Sequence, residues 1–311
     1  MTPNRAAADD VIGLGEILWD CFPDRRLPGG AQANVAYHAQ QLGLRAAVAT
    51  RVGVDPLGDE LLRFLQAKGL RIDLVQRDPD HATGTVTVSS SGGQTSYTFL
   101  ENSAWDFLET SESWLAAARQ ARALCFGTLA QRSDSSRRTI YSLLDAAGPN
   151  CQIVYDVNLR PPFFEREWIH ESLRRARIVK LNDDEVRVLA GMFSTRTQGD
   201  DEFARWLLQT YAVDLVCVTR GAAGAMAVAA DEQCEVSGIP VPVVDTVGAG
   251  DAFTAALLWS RLAGRPLEPS LALANRIGAL VASRAGAMPD LTAELADITA
   301  GAEAVDRRGR C

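Results

Sequence analysis

Asp245-Thr246-Val247-Gly248-Ala249-Gly250-Asp251-Ala252-Phe253-Thr254, together with the amphipathic run that follows through Leu262, is the stretch from which the rest of the chain is best read. Glycines at 248 and 250 let main-chain N–H groups converge, and a helix starting there adds its positive N-terminal end, so the turn is suited to hold an anion. Asp251 then falls in the first helical turn. A carboxylate suits the helix dipole at that place, but it would repel a phosphate bound by the turn unless it had a task there. Accepting the proton of an attacking hydroxyl is such a task. The plainer alternative is an Asp that caps its own helix.

Outward from this turn, short apolar runs alternate with longer amphipathic stretches, the pattern of a parallel sheet covered by helices. The runs Val11–Gly15, Ala46–Arg51, Ala123–Thr128, Gln152–Asp156, Ile178–Leu181, Leu215–Thr219 and Ala225–Ala229 read as strands. Apolar residues recur at helical spacing in Ala33–Leu42, Leu57–Lys68, Ser135–Ala147, Glu202–Tyr211 and Ala252–Leu262, and Gly43 supplies a left-handed stop to the first of these. The expectation is one α/β domain over residues 1–311, a doubly wound, mostly parallel sheet flanked by helices. Gly84–Leu100 departs from this pattern: Val86 and Val88 alternate with threonines, Ser91-Gly92-Gly93-Gln94 reads as a turn, and Tyr97 and Phe99 return on one face. This hairpin, joined by Cys21–Leu27, predicts a small β-sheet lid formed by about 20–28 and 73–107; an extra antiparallel edge of the main sheet is the alternative.

Composition limits the function. Hydrophobic residues at 47% and charged residues at 23% describe an ordinary globular protein with enough apolar surface for a core. A net charge of −8 disfavours nucleic acid and anionic membranes as partners, so an anionic ligand must be held by local donors. The six cysteines form no CxxC pair, several lie in apolar runs, and the start around Asp9 and Asp10 is polar and acidic. These features predict reduced thiols, no signal peptide and a cytoplasmic protein. With three histidines at no metal-ligand spacing, a structural zinc site is not expected. Gly13-Leu14-Gly15 hints at a dinucleotide fingerprint, but Leu18 stands where the third glycine should be, and no GxxxxGK[ST] loop is present.

The string around Asp251 resembles the DTxGAGDxF signature of the ribokinase-like (PfkB) sugar kinases. A second stretch, Gly29-Gly30-Ala31-Gln32-Ala33-Asn34 and on through Gly58-Asp59, resembles that family's N-terminal signature. The two glycines permit close main-chain approach to a polyol, and Asn34 offers both a donor and an acceptor. Asn182-Asp183-Asp184-Glu185 is similar to the family's NxxE motif, Asp156-Val157-Asn158-Leu159-Arg160 to its DxNxR segment, and Thr219-Arg220-Gly221-Ala222-Ala223-Gly224 to its nucleotide turn. Gly15 through Asp20 and the stretch around Trp105 look most like bacterial fructokinase-type members.

The resemblance implies ATP-dependent phosphorylation of a sugar hydroxyl with Mg2+, a role for K+ as a further hypothesis, and fructose as the first sugar to consider. 2-Keto-3-deoxygluconate, ribose and nucleosides follow, and a non-catalytic sugar or nucleotide sensor is the reading from another class. It implies Asp251 as base beside Gly248, Ala249 and Gly250, with Asp20, Gly29, Gly30, Asn34 and Arg160 at the sugar. Asn182, Thr219, Gly221, Gly224 and Asn275 fall to the nucleotide, with Ala279 near adenine. Glu185 would serve magnesium through water, and Asp245, Val247 and residues 284–286 a potassium ion. Pairing of two copies through the lid would give a homodimer.

Overall fold

All seven apolar runs read as strands do form strands, with ends that differ by two residues or fewer. The structure, a computed structural model, describes residues 10–91 and 94–308. Its strands are β1 (Val11–Leu14), β2 (Leu18–Cys21), β3 (Arg26–Gly29), β4 (Ala46–Gly53), β5 (Val75–Asp78), β6 (Thr85–Ser91), β7 (Gln94–Phe99), β8 (Ala123–Phe126), β9 (Gln152–Asp156), β10 (Ile178–Asn182), β11 (Leu215–Thr219), β12 (Ala225–Ala229) and β13 (Gln233–Val236). Its helices are α1 (Ala31–Gln41), α2 (Pro56–Ala67), α3 (Glu112–Gln120), α4 (Asp134–Ala146), α5 (Arg166–Arg175), α6 (Asp183–Phe193), α7 (Asp200–Tyr211), α8 (Ala249–Leu262), α9 (Leu267–Ala282) and α10 (Thr292–Arg308).

Nine strands form the main sheet in the order β13-β12-β11-β10-β9-β8-β1-β4-β5. Strands β5 through β11 in that order pair in parallel, while β12 and β13 add an antiparallel edge. These strands are apolar on both faces because both faces are covered. In β8, Ala123 and Cys125 enter one core with α1, α2, α8, α9 and α10, and Leu124 and Phe126 enter the other with α3 to α7. The winding direction reverses between β1 and β8. Ligands of open α/β sheets bind outside the carboxyl ends of the strands at such a reversal.

A separate sheet of four strands, ordered β3-β2-β6-β7, stands beside this reversal. Val86 pairs with Phe99 and Val88 with Tyr97, as the alternation predicts, and Leu18, Val86 and Val88 pack with Phe22 and Phe99 on one face. Gly92 and Gly93 of the expected turn lie outside the described residues, as does Cys311. The boundaries read from sequence need correction at both ends. The first part of the small sheet runs from Leu18 to Gly29, wider than 20–28. Within 73–107, β5 pairs with β4 in the main sheet, and the 3-10 turn Ala104–Phe107 packs against β4 and α4. Trp105 is 1% exposed, and Asp106 bonds Arg132 at 2.7 Å, so the turn belongs to the buried body. The five described cysteines are all free thiols. No described helix is long and apolar enough to cross a membrane.

Candidate active site

A cavity of about 1200 Å³ lies along the carboxyl ends of the central strands, roofed by the apolar face of the small sheet and floored by the start of α8. Its wall gathers almost every residue singled out by sequence: Asp20, Gly30, Asn34 and Arg160, the turn Gly248, Ala249, Gly250 and Asp251, and Asn182, Thr219, Gly221, Gly224, Asn275 and Ala279. Asp245, Val247 and Gly286 also line it.

Gly248 is the N-cap of α8 at φ +79°, where a Cβ would come within 2.6 Å of the Ala287 carbonyl oxygen. The first helical hydrogen bond runs from Ala252 N–H to the Gly248 carbonyl, so the amides of Gly250 and Asp251 precede the helical ladder. No side chain caps this helix. Asp251 instead turns its carboxylate to α1, where Asn34 Nδ2 donates to Oδ2 at 2.7 Å. The capping alternative therefore fails, and Asn34, inside α1, is no cap either. Burial, the nearby Asp156 carboxylate and, against these, the Asn34 hydrogen bond and the Lys180 and Arg160 cations leave the Asp251 carboxyl raised to about 6.

Sequence reasoning passed over Lys180. It is the one charged residue in the apolar run of β10, and its Nζ bonds Asp156 Oδ1 at 3.1 Å, with both side chains under one tenth exposed. Thr254 of α8 donates to the other Asp156 oxygen at 2.9 Å. A Cβ on Gly250 would lie 2.8 Å from Lys180 Nζ, so the missing side chain lets the ammonium sit against the glycine turn. Burial opposes the Lys180 charge, but Asp156, Glu185 and Asp251 more than offset it and hold its pKa above the usual lysine value. A buried lysine in a strand needs such a partner, and that was the signal available in Ile178-Val179-Lys180-Leu181.

Asp20 lies within β2 rather than on a loop, and burial outweighs Arg160 to raise its carboxyl to about 6. Gly29 is not in the cavity wall; a Cβ there would meet Asp20 Oδ2 at 2.4 Å, so this glycine makes room for the Asp20 carboxylate. Arg160 Nη1 donates to the Leu159 carbonyl at 3.0 Å, and Asn158 beside it adopts φ +42°, a region Asn tolerates better than most residues. Asn275 Nδ2 donates to Ser237 O at 3.0 Å, joining α9 to the segment after β13. Asp245 accepts from Val247 N–H at 3.0 Å and Gly286 N–H at 3.1 Å, so its carboxylate ties together the two loops expected to flank a cation.

Glu185 is placed differently from expectation. It is 6% exposed, it does not line the cavity, and its two oxygens accept from the backbone N–H groups of Asn182 and Leu159, each at 2.8 Å. At the third position of α6 it reaches back to form a capping box with Asn182, whose side chain caps Glu185 N–H in return. Its work is to fix the ends of β10 and β9. Among the described residues, no three His, Cys, Asp or Glu side chains gather closely enough to hold a metal alone. Magnesium commonly binds through one or two carboxylates, several waters and substrate phosphates, so this donor set fits an ion carried largely by the nucleotide.

Residues 15–294 match the pfkB family carbohydrate kinase pattern. The chain belongs to that family. Fructokinase of Escherichia coli is 32% identical over 297 residues, which cover 89% of this chain and 94% of that one. A structure of Vibrio cholerae fructokinase with fructose, ADP and calcium bound superposes with a TM-score of 0.77 at 28% identity, covering 93% and 98% of the two chains. A double-mutant form of the same enzyme with fructose, ADP and potassium gives 0.77 at 26% identity, over 94% and 99%. As a pfkB kinase the protein is a sugar phosphotransferase on the ribokinase-like fold, which agrees with the sequence reading.

Proposed function

We propose that this kinase transfers the terminal phosphoryl group of ATP to the 6-hydroxyl of fructose, with Asp251 as the general base. The observation that carries this reading is the pairing of a buried cavity carboxylate with the Gly248–Gly250 turn at the start of α8, the carboxylate being oriented by Asn34 at 2.7 Å. The sugar lies at the end lined by Asp20, Gly30, Asn34 and Arg160, and the nucleotide extends past Asn182 and Thr219 toward Asn275. As the sugar oxygen bonds to phosphorus and the bond from phosphorus to the ADP oxygen breaks, the hydroxyl proton passes to Asp251. The amides at the start of α8 and the Lys180 ammonium stabilise the charge that builds on the transferring group. A carboxyl raised to about 6 remains mostly ionised at neutral pH and is a better base than an ordinary Asp.

Magnesium bound with ATP would neutralise phosphate charge on the side of Asn182. The small sheet acts as a lid, since its apolar face would exclude water from the reacting groups. A potassium ion beside Asp245 and Val247 would stiffen the loop that ends in Gly248, and the edge strands β3 and β7 of the small sheet offer a second copy a place to pair.

The test is an ADP-release assay with magnesium and potassium across fructose, ribose, 2-keto-3-deoxygluconate and nucleosides. Fructose is expected to give the highest kcat/KM. A preference for any other sugar by more than about tenfold, near 1.4 kcal/mol in transition-state binding, would overturn the assignment to fructose. Equal rates in sodium and potassium over a wide concentration range would remove the cation from the account.

A further inference from the structure

Glu16 is a wall residue of the cavity that neither the signatures nor the proposed mechanism employs. It sits between β1 and β2, where the chain leaves the main sheet for the small one, and is 3% exposed. One carboxylate oxygen accepts from Ala31 N–H at 3.1 Å, doing for α1 what its N-cap, Gly30, has no side chain to do. The other, Oε2, is buried with no hydrogen-bond partner, and so is Asn34 Oδ1 on the same wall. Gly30 sits hard against the backbone of Glu16, where a Cβ would meet the Glu16 carbonyl oxygen at 2.5 Å, so the chain carrying this side chain has little room to shift.

A cap alone does not explain this residue. A neutral amide would accept from Ala31 N–H equally well and would avoid burying a charge, which is costly when unpaired. What distinguishes the carboxylate is the second acceptor oxygen. Two buried acceptors without donors on one wall of a sugar-sized space call for a ligand rich in hydroxyl groups.

We propose that Glu16 is a substrate-binding residue whose free carboxylate oxygen accepts a hydrogen bond from a sugar hydroxyl, beside the contacts of Asp20 and Asn34. This rests on the sugar-kinase reading of the same cavity. The groups acting on Glu16 agree with it. Burial raises its carboxyl to about 7, its own and the Ala31 backbone N–H groups and Arg160 after β9 lower it, and Asp251 on α8 raises it, so near neutrality it is about half ionised and a hydroxyl donor would favour the ionised form.

The experiment compares wild type and Glu16→Gln in steady state with ATP, using fructose and its 1-, 3- and 4-deoxy analogues. The variant keeps an oxygen for Ala31 N–H but presents an NH2 group to the sugar. The expected result is a fall in kcat/KM for fructose of at least about tenfold, carried by KM, with the KM for ATP unchanged. One analogue should cost the wild type a similar factor and cost the variant nothing more, the signature of a shared contact. A lowered Tm with unchanged fructose KM and an unchanged analogue pattern overturns the proposal and leaves Glu16 a helix cap. Wild-type turnover with fructose tests the preceding reading separately; the variant-to-wild-type ratio is taken with whichever panel sugar the wild type prefers. Should Glu16→Gln not fold, Glu16→Asp, which keeps both acceptor oxygens but withdraws them by one methylene, is measured in its place with the same sugars. A raised fructose KM at unchanged KM for ATP supports the contact, and an unchanged fructose KM overturns it.

Discussion

Replacing Asp251 with Asn should make the enzyme nearly inactive and at the same time more stable. In the folded protein the carboxyl is raised from 3.8 to about 6, first by burial and then by Asp156. For an acid whose folded pKa is raised, ionisation above that pKa works against folding. The penalty is complete above about pH 6 and disappears as pH falls below 3.8, where the group is neutral in both states. At about 1.4 kcal/mol per pH unit the difference amounts to about 3 kcal/mol at pH 7. Asn at this position can still accept from Asn34 Nδ2, so the hydrogen bond at 2.7 Å survives while the buried charge does not. Urea unfolding at pH 7 and pH 4 should show a gain of about 3 kcal/mol in the first and little in the second. Turnover should fall by roughly 10²–10⁴ with sugar affinity retained, and wild-type kcat/KM should decline as pH drops through about 6. Turnover near the wild-type level would refute the assignment of the base. A variant no more stable at pH 7 would refute the claim that this carboxylate is held ionised at a cost.

Three further outcomes follow from the same geometry. Lys180→Met leaves the Asp156 carboxylate buried with Thr254 as its remaining side-chain partner, and should lose roughly 3–5 kcal/mol in chemical unfolding along with most activity. Gly248→Ala places a Cβ 2.6 Å from the Ala287 carbonyl at φ +79°, and should cost about 1–3 kcal/mol and reduce kcat more than it raises the sugar KM. His38 is held neutral by burial, with its pKa lowered from 6.5 to about 4 and Nε2 donating to Ala287 O at 2.8 Å, so the unfolded chain takes up the proton first. Stability should therefore fall by about 3 kcal/mol as pH drops from 6.5 to 4, and the pH dependence of unfolding should be flatter in His38→Gln.

The main sheet was readable because its central strands are apolar on both faces and the helices between them carry a clear buried stripe, as in Leu61 and Leu65 of α2. Edges were harder. β3 begins with exposed Arg26, and β13 alternates exposed Gln233 and Glu235 with half-buried neighbours, so hydrogen bonding to a neighbouring strand, not apolar pattern, makes them strands. The 73–107 stretch misled because length between two landmarks says nothing about which sheet a short run such as Val75–Asp78 will join. At the site, glycine turns and acidic residues stood out by spacing, while Lys180 and Glu16 act through contacts with residues distant in sequence. Glu185 was visible as a motif, but its two hydrogen bonds to backbone depend on where β9 and β10 end, which only the folded chain determines.

On the proposed reading, the arrangement of charge along the cavity would separate sugar from nucleotide. Glu16, Asp20 and Asp251 line the cavity and all have raised carboxyl pKa values, burial being the largest cause in each case, and Arg160 is the cation that acts on all three. Lys180 and the start of α8 lie next to them, facing where phosphate would come. A neutral polyol brings hydroxyl donors to carboxylates that need them and adds no charge. A triphosphate placed there would add negative charge to a poorly solvated acidic wall, whereas beside Lys180 and the helix end it meets the opposite field. A sugar acid would face the same repulsion, with Arg160 already shared among three carboxylates. On the proposed placement of the sugar, these poorly solvated carboxylates would favour a neutral sugar over an acidic one, and a lower kcat/KM for 2-keto-3-deoxygluconate than for fructose is the outcome that checks it.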